Sequence, residues 1–241
     1  MTGVTLHAPL AGWLSSLEEV SDAVFSERMM GDGVAIDPTS STLSAPCDAT
    51  VLLIPDSAHS VTLRTANGAE ILLHIGLETV RLDGEGFKPH VKNGQQVRKG
   101  DPLVSFDMDA VLAGAESLVT PIVIANGEAF EFVSAGTDRA VAAGEPIGEV
   151  RPTGTRAHAS TGGAERHSAE IVLPLANGIH ARPAARIATL AKQQTAEVML
   201  HAHGRQANAR SPVALMTLGA RHGDKVEITA AGQDAAAALA A

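Results

Sequence analysis

Three histidines stand where their spacing suggests chemistry. His59 and His74 flank an Asn67-Gly68 turn, and His180 lies three residues ahead of a proline in Asn177-Gly178-Ile179-His180-Ala181-Arg182-Pro183. Imidazole titrates near neutrality, so it serves as a nucleophile, a proton carrier or a metal ligand. Asn-Gly between alternating apolar runs signals a hairpin closed by a two-residue type I′ turn. In that register Ala66 pairs with Ala69, Val61 with His74 and His59 with Gly76. Both imidazoles then share a face, roughly 7 Å apart or less between β-carbons. Rings that close can share a proton, a phosphoryl group or a metal. Gly76 has no side chain to block approach to His59, and Leu72, Leu73, Ile75 and Leu77 make the setting of His74 apolar. The bland alternative is a pair of polar residues on a half-exposed sheet.

His180 sits just ahead of a helical pattern in which Ala184, Ile187, Ala188 and Ala191 share one face. The first N–H groups of a helix lack intrahelical acceptors and, with the positive end of its dipole, favour an anion. Arg182 adds a charged fork suited to phosphoryl oxygens. Pro183 is tolerated in the first turn because the N–H it lacks would have had no partner there. The alternative is a turn histidine that only caps the helix.

The elements that must hold these residues fall into two groups. From Met1 to about Pro152, short apolar runs alternate with turn signals at 31–33, 67–68, 83–86 and 93–94. Residues 51–54, 61–64, 71–74, 103–106 and 121–124 read as strands, and only 108–117 reads as helix, so an all-β sandwich or barrel follows. Residues 153–168, TGTRAHASTGGAERHS, have the composition of a flexible linker, with His158 and His167 as solvated residues in it. From 169 to 241 the order is a strand over 171–175, a turn at 177–178, a helix from about Pro183, a strand around Val198 and Leu200, a helix opened by Ser211-Pro212, a strand around Val226 and Ile228, and a short alanine-rich helix over 234–241. That is an α+β open-faced sandwich, an antiparallel sheet with helices on one face.

Composition narrows the classes of function. The 241 residues carry a formal net charge of −9 and no long basic run, which argues against a nucleic-acid partner. No apolar stretch is long enough to span a bilayer, and there is no secretory pattern at the N-terminus, so a cytoplasmic protein that is not membrane-spanning is expected. A single cysteine, Cys47, excludes an internal disulfide and a thiolate zinc site and reads as a small buried hydrophobe.

Residues 1 to about 152 resemble enzyme IIA of the glucose family in the bacterial phosphoenolpyruvate-dependent sugar phosphotransferase system. The resemblance rests on PLAGWLSSLEEVSDAVFSERMMGDGVAIDP, AHSVTLRTANGAEILLHIGLETVRLDGEGF and VKNGQQVRKGDPLVSFD. It implies phosphorylation of His74, in His74-Ile75-Gly76-Leu77-Glu78-Thr79, on Nε2, with His59 orienting the ring and stabilising its phosphorylated state. Glu78 stands where Asp is common. NGIHARPAA and SPVALMTLGARHGDKVEI resemble HPr, the general phosphocarrier of the same system. This second resemblance implies phosphorylation of His180 on Nδ1 with Arg182 in support, and makes Ser211 a candidate regulatory phosphorylation site; its plainer reading is a helix cap. Ser57, Glu78, Thr79 and Ala181 are the supporting candidates around the phosphate. Pro212-Val213 departs from the larger apolar side chains that HPr commonly presents to partners. The short last helix and the IIA–HPr order resemble a piece of a multiphosphoryl transfer protein, in which an enzyme I domain follows HPr.

Together these imply a phosphohistidine relay from enzyme I to His180, then to His74, then to a cysteine of an enzyme IIB/IIC sugar permease, for uptake of N-acetylglucosamine or glucose. A sixteen-residue linker spans roughly 22 Å root-mean-square, which gives an effective concentration on the order of millimolar. No cofactor is required. The resemblance suggests that His59 and His74 hold zinc only where a partner adds a carboxylate; a zinc hydrolase would need a third protein ligand, and neither HxH nor HExxH joins the pair. The alternative function is a regulatory binding module whose dephosphorylated IIA domain docks on transporters or metabolic enzymes. A lipoyl or biotinyl carrier, prompted by VKNGQQVRKGDPL, lacks a lysine at a suitable hairpin tip.

Overall fold

The computed structural model describes residues 2–154 and 166–240. The chain forms two compact units, 1–156 and 157–241. Most of the expected linker, His158 included, lies outside the described residues. Arg166, His167 and Ser168 do not belong to a linker: they open the strand Arg166–Val172.

The first unit is a β-sandwich. Its main sheet has eight strands in the order Arg139–Val141, Gly12–Ser16, Asp32–Pro38, Thr120–Ile124, Glu70–His74, Ser60–Arg64, Ala49–Leu53 and Gln96–Val97. Two three-stranded sheets complete it: Val4–His7, Pro146–Pro152, Phe130–Ser134, and Thr42–Ser44, Pro102–Phe106, Phe87–Pro89. All three sheets contribute to one core, through Leu6, Ile36, Leu43, Leu63, Leu73, Leu103 and Ile147 among others. With only 2% aromatic residues, aliphatic side chains supply the burial, each contributing about 1.5–3 kcal/mol. Glu70–His74 is central and buried on both faces, so it reads as a near-continuous apolar run with a histidine at its end.

Three one-turn helical segments were not legible from periodicity: Leu17–Glu19, Ala23–Ser26 and Thr79–Leu82. Asp22 caps Ala23–Ser26 by accepting from Val24 N at 3.0 Å. That short helix buries Val24 and Phe25. The expected helix over 108–117 is Met108–Gly114, capped by Asp107.

The second unit has a four-stranded antiparallel sheet in the order Arg166–Val172, Lys225–Ala231, Glu197–Ala202, Arg205–Asn208. One face is buried through Val198, Leu200, Ala202, Val226 and Ala230. The helices are Ala181–Gln193, Pro212–Thr217 and Ala235–Ala240. The first strand ends at Val172 rather than running over 171–175. Beyond it Leu173 N donates to Asp224 O, and Pro174 has no N–H to continue the ladder. Arg205–Asn208, missed from sequence, is joined to its neighbour by His203-Gly204, at φ +53° and +69°, a type I′ turn. Arg210 Nη2 donates to Gln194 O at 2.7 Å and so ties down the C-terminus of Ala181–Gln193. Among the described residues no helix is long and apolar enough to cross a membrane.

Candidate active site

The hairpin that carries His59 and His74 closes one residue differently from the type I′ expectation. Thr65 N donates to Ala69 O and Gly68 N to Thr65 O, which leaves Ala66, Asn67 and Gly68 as a three-residue loop. Asn67 keeps a negative φ while Gly68 takes +96°, so the glycine fills the left-handed position of a bulged turn. Thr65 selects this form: its hydroxyl contacts Asn67 Oδ1 at 2.6 Å and accepts from Ala69 N at 3.0 Å. Ser60, not Val61, therefore pairs with His74, and Ile75, not Gly76, lies opposite His59.

The two imidazoles nevertheless meet. Their centroids are 5.0 Å apart with the rings at 66°, and Phe25 packs on His74 at 5.5 Å. His59 is 4% exposed and His74 is 6% exposed, so both rings are largely withdrawn from water. His74 Nδ1 lies 2.8 Å from Gly76 O. A carbonyl only accepts, so Nδ1 carries the proton and the lone pair resides on Nε2. His59 Nδ1 lies 2.7 Å from Ser57 Oγ. The hydroxyl can donate to that nitrogen or accept from it; where it donates, Nε2–H of His59 is left as a donor toward His74.

The loop after His74 builds that acceptor. Gly76 has φ +67°, and a β-carbon there would lie 2.8 Å from both Ser117 O and Thr79 Cγ2. Thr79, fully buried, donates from Oγ1 to Ile75 O at 2.8 Å and braces the loop from inside. Glu78, at φ +61°, pairs with Arg81 at 2.9 Å. Gly76 and Phe25 are the contributors that sequence reasoning did not assign: the glycine was visible only as an absent side chain, and nothing local to Phe25 marks it as a neighbour of residue 74.

In the second unit His180 is the N-cap of Ala181–Gln193, with extended backbone (φ −102°, ψ −171°), and its carbonyl accepts from Ala184 N at 3.0 Å. Gly178, at φ +64°, lets Ile179 N reach Ala220 O; a β-carbon at Gly178 would lie 2.3 Å from that oxygen. The helix has no acidic residue in its first turn, and Arg182 sits there instead. A cation at that end opposes the helix dipole, which makes sense where an anion is to be received. Ala181 opens the helix and is buried. Ser211 caps Pro212–Thr217 by accepting from Ala214 N at 3.1 Å. Pro212 and Val213 are buried, so they present no surface to a partner.

As a zinc site the His59/His74 pair offers at most one nitrogen of each ring, two of the four ligands that a tetrahedral ion needs. Among the described residues no three His, Cys, Asp or Glu side chains converge to hold a metal. The pair by itself does not complete a site.

Electrostatics separates the units. Residues 1–156 carry 10 Lys and Arg against 21 Asp and Glu, a net charge of −11; residues 157–241 carry 8 against 6, a net charge of +2. The helix behind His180 contains Arg182, Arg186 and Lys192 and no acid.

Residues 4–130 match the family model of the phosphoenolpyruvate-dependent sugar phosphotransferase system, EIIA 1, and residues 167–241 match that of the PTS HPr component phosphorylation site. The glucose-specific EIIA component of Bacillus cereus is 48% identical over 129 residues, 54% of this chain and 78% of that protein. The glucose-specific EIIBCA component of Corynebacterium glutamicum is 47% identical over 127 residues, 53% of this chain and 19% of that protein. Among solved structures, the glucose permease IIA of Mycoplasma capricolum superposes with a TM-score of 0.57 at 38% identity, covering 62% of this chain and 96% of that one. The chain thus belongs to the glucose-type EIIA family of the sugar phosphotransferase system, continues into an HPr component, and is a phosphotransferase component of the kind that carries phosphate on histidine.

Proposed function

We propose that the chain relays phosphoryl groups from an enzyme I donor to Nδ1 of His180, from there to Nε2 of His74, and on to a cysteine of an enzyme IIB/IIC permease in the cytoplasm. The observation that carries this reading is the bond between His74 Nδ1 and Gly76 O, which puts the ring's nucleophilic lone pair on Nε2. In the internal step the Nδ1–P bond of His180 breaks, its electron pair stays on that nitrogen, and the Nε2–P bond of His74 forms. Each ring keeps the proton on its other nitrogen, so no further acid or base is needed. Phosphorylated His74 is an imidazolium, and the Gly76 carbonyl stabilises its charge. His59 Nε2–H donates to a phosphoryl oxygen, held in that tautomer by Ser57. Arg182 and the first helical N–H groups do the same for phospho-His180.

The sugar is glucose or N-acetylglucosamine, the second being favoured where an enzyme I domain completes a three-part fusion. Zinc enters only where a partner's carboxylate joins His59 and His74. Incubation with enzyme I and phosphoenolpyruvate tests the order of transfer. Acid-labile phosphate is expected on both His180 and His74, and His180→Ala should leave His74 unlabelled; normal labelling of His74 in that variant would reject the relay.

A further inference from the structure

Strand pairing and ring position disagree at the open end of the hairpin. Ser60 pairs with His74, and Ile75 N donates to His59 O at 2.8 Å. Directly opposed residues share a face and successive residues alternate. His74 therefore belongs with Ser60, Thr62 and Leu72, whereas a regular strand would turn His59 toward Val61, Leu73 and Ile75. The rings are nonetheless 5.0 Å apart. The backbone supplies the difference: the regular strand begins at Ser60, the chain bends at His59, and Ala58 holds φ at +49°. Residues other than Gly, Asn and Asp seldom occupy that left-handed region. Ala58 is 1% exposed, and its N–H donates to Pro55 O at 2.9 Å, which closes a turn over 55–58. The loop at Gly84 backs this turn, since a β-carbon there would lie 3.5 Å from Ser57 Cα.

We propose that Ala58 is a positioning residue for His59: its left-handed backbone takes the imidazole out of strand alternation and sets it against His74. The inference rests on the reading of His59 as the donor to phospho-His74, but its geometric content is separable from that reading.

The test compares Ala58→Val and Ala58→Gly in the full chain by two measurements: ring-to-ring NOEs between His59 and His74, and the rate of His74 phosphorylation by enzyme I and phosphoenolpyruvate. Valine resists a positive φ, so Ala58→Val should lose the NOEs and slow labelling by about tenfold or more. Glycine accepts the conformation and adds no volume at this buried position, so Ala58→Gly should keep the NOEs and label within about twofold of wild type. Wild-type behaviour in Ala58→Val, or loss in Ala58→Gly, would overturn the proposal. If Ala58→Val does not fold, the melting temperature of Ala58→Gly decides: relief of strain should raise Tm by about 2–4 °C, and a fall would overturn it. Should wild-type His74 take no phosphate while the NOEs follow this pattern, the relay fails and the positioning role stands.

Discussion

Nδ1 of His74 donates to the carbonyl of Gly76 across 2.8 Å, a bond between residues two apart that a glycine at φ +67° makes geometrically available. The nucleophile is thus oriented by its own loop. A short sequence segment supplies the ring, its acceptor and Thr79, whose hydroxyl braces the loop through Ile75 O.

Gly76→Ala places a methyl group 2.8 Å from Ser117 O and forces a residue with a β-carbon into the left-handed region. A loss of roughly 2–4 kcal/mol in urea denaturation is expected, together with slower phosphorylation of His74. Wild-type stability would mean that the loop relaxes and that the glycine is not required.

Ser57→Ala removes the hydroxyl 2.7 Å from His59 Nδ1. His74 labelling should slow roughly tenfold, the rate equivalent of the ~1.4 kcal/mol such a hydrogen bond contributes. Ser57→Thr should restore it. Nitrogen-15 shifts of His59 should move from one tautomer toward a mixture in the alanine variant; unchanged shifts would remove Ser57 from the account.

The sequence made the general layout visible because its signals were local. Turn residues bounded the strands at 51–54, 61–64, 71–74, 103–106 and 121–124, and each lies within a strand of the structure except Ile54, just past Ala49–Leu53. Asn67-Gly68 announced a hairpin but not its register, because the choice between two and three loop residues rests on the Thr65 side chain. The His59/His74 contact survives that slip through a backbone angle at Ala58, which no pattern of apolar residues encodes. Ser211-Pro212 carried its cap legibly, because capping is a property of adjacent residues. The packing of Phe25 on His74 joins residues 49 positions apart and leaves no trace in either neighbourhood.

Cys47 offers a test of the first unit's core. Burial, reinforced by Asp48, pushes its thiol from 9.0 up to about 12. The unfolded chain therefore ionises this thiol first, so its contribution to stability is level below about pH 9 and declines as pH rises toward 12. Between pH 8 and about pH 10.5 the wild type should lose about 2 kcal/mol more than Cys47→Ala in urea denaturation. Parallel curves would show that the thiol ionises equally in both states.

The charge asymmetry, −11 against +2, predicts salt-sensitive transfer between chains. Mixing phosphorylated His74→Ala chains with His180→Ala chains permits transfer only from one molecule to another. Its rate should fall about tenfold between roughly 0.05 and 0.5 M salt, because exposed charges are screened beyond the Debye length. A rate independent of salt would leave the docking to apolar contact alone.

Phosphorus–nitrogen couplings in the nitrogen-15-labelled chain, measured after reaction with enzyme I and phosphoenolpyruvate, locate the phosphorus on each ring. A relay through these atoms puts it on Nε2 of His74 and on Nδ1 of His180. Phosphorus on Nδ1 of His74, the atom that here donates to Gly76, or on neither ring, would contradict it.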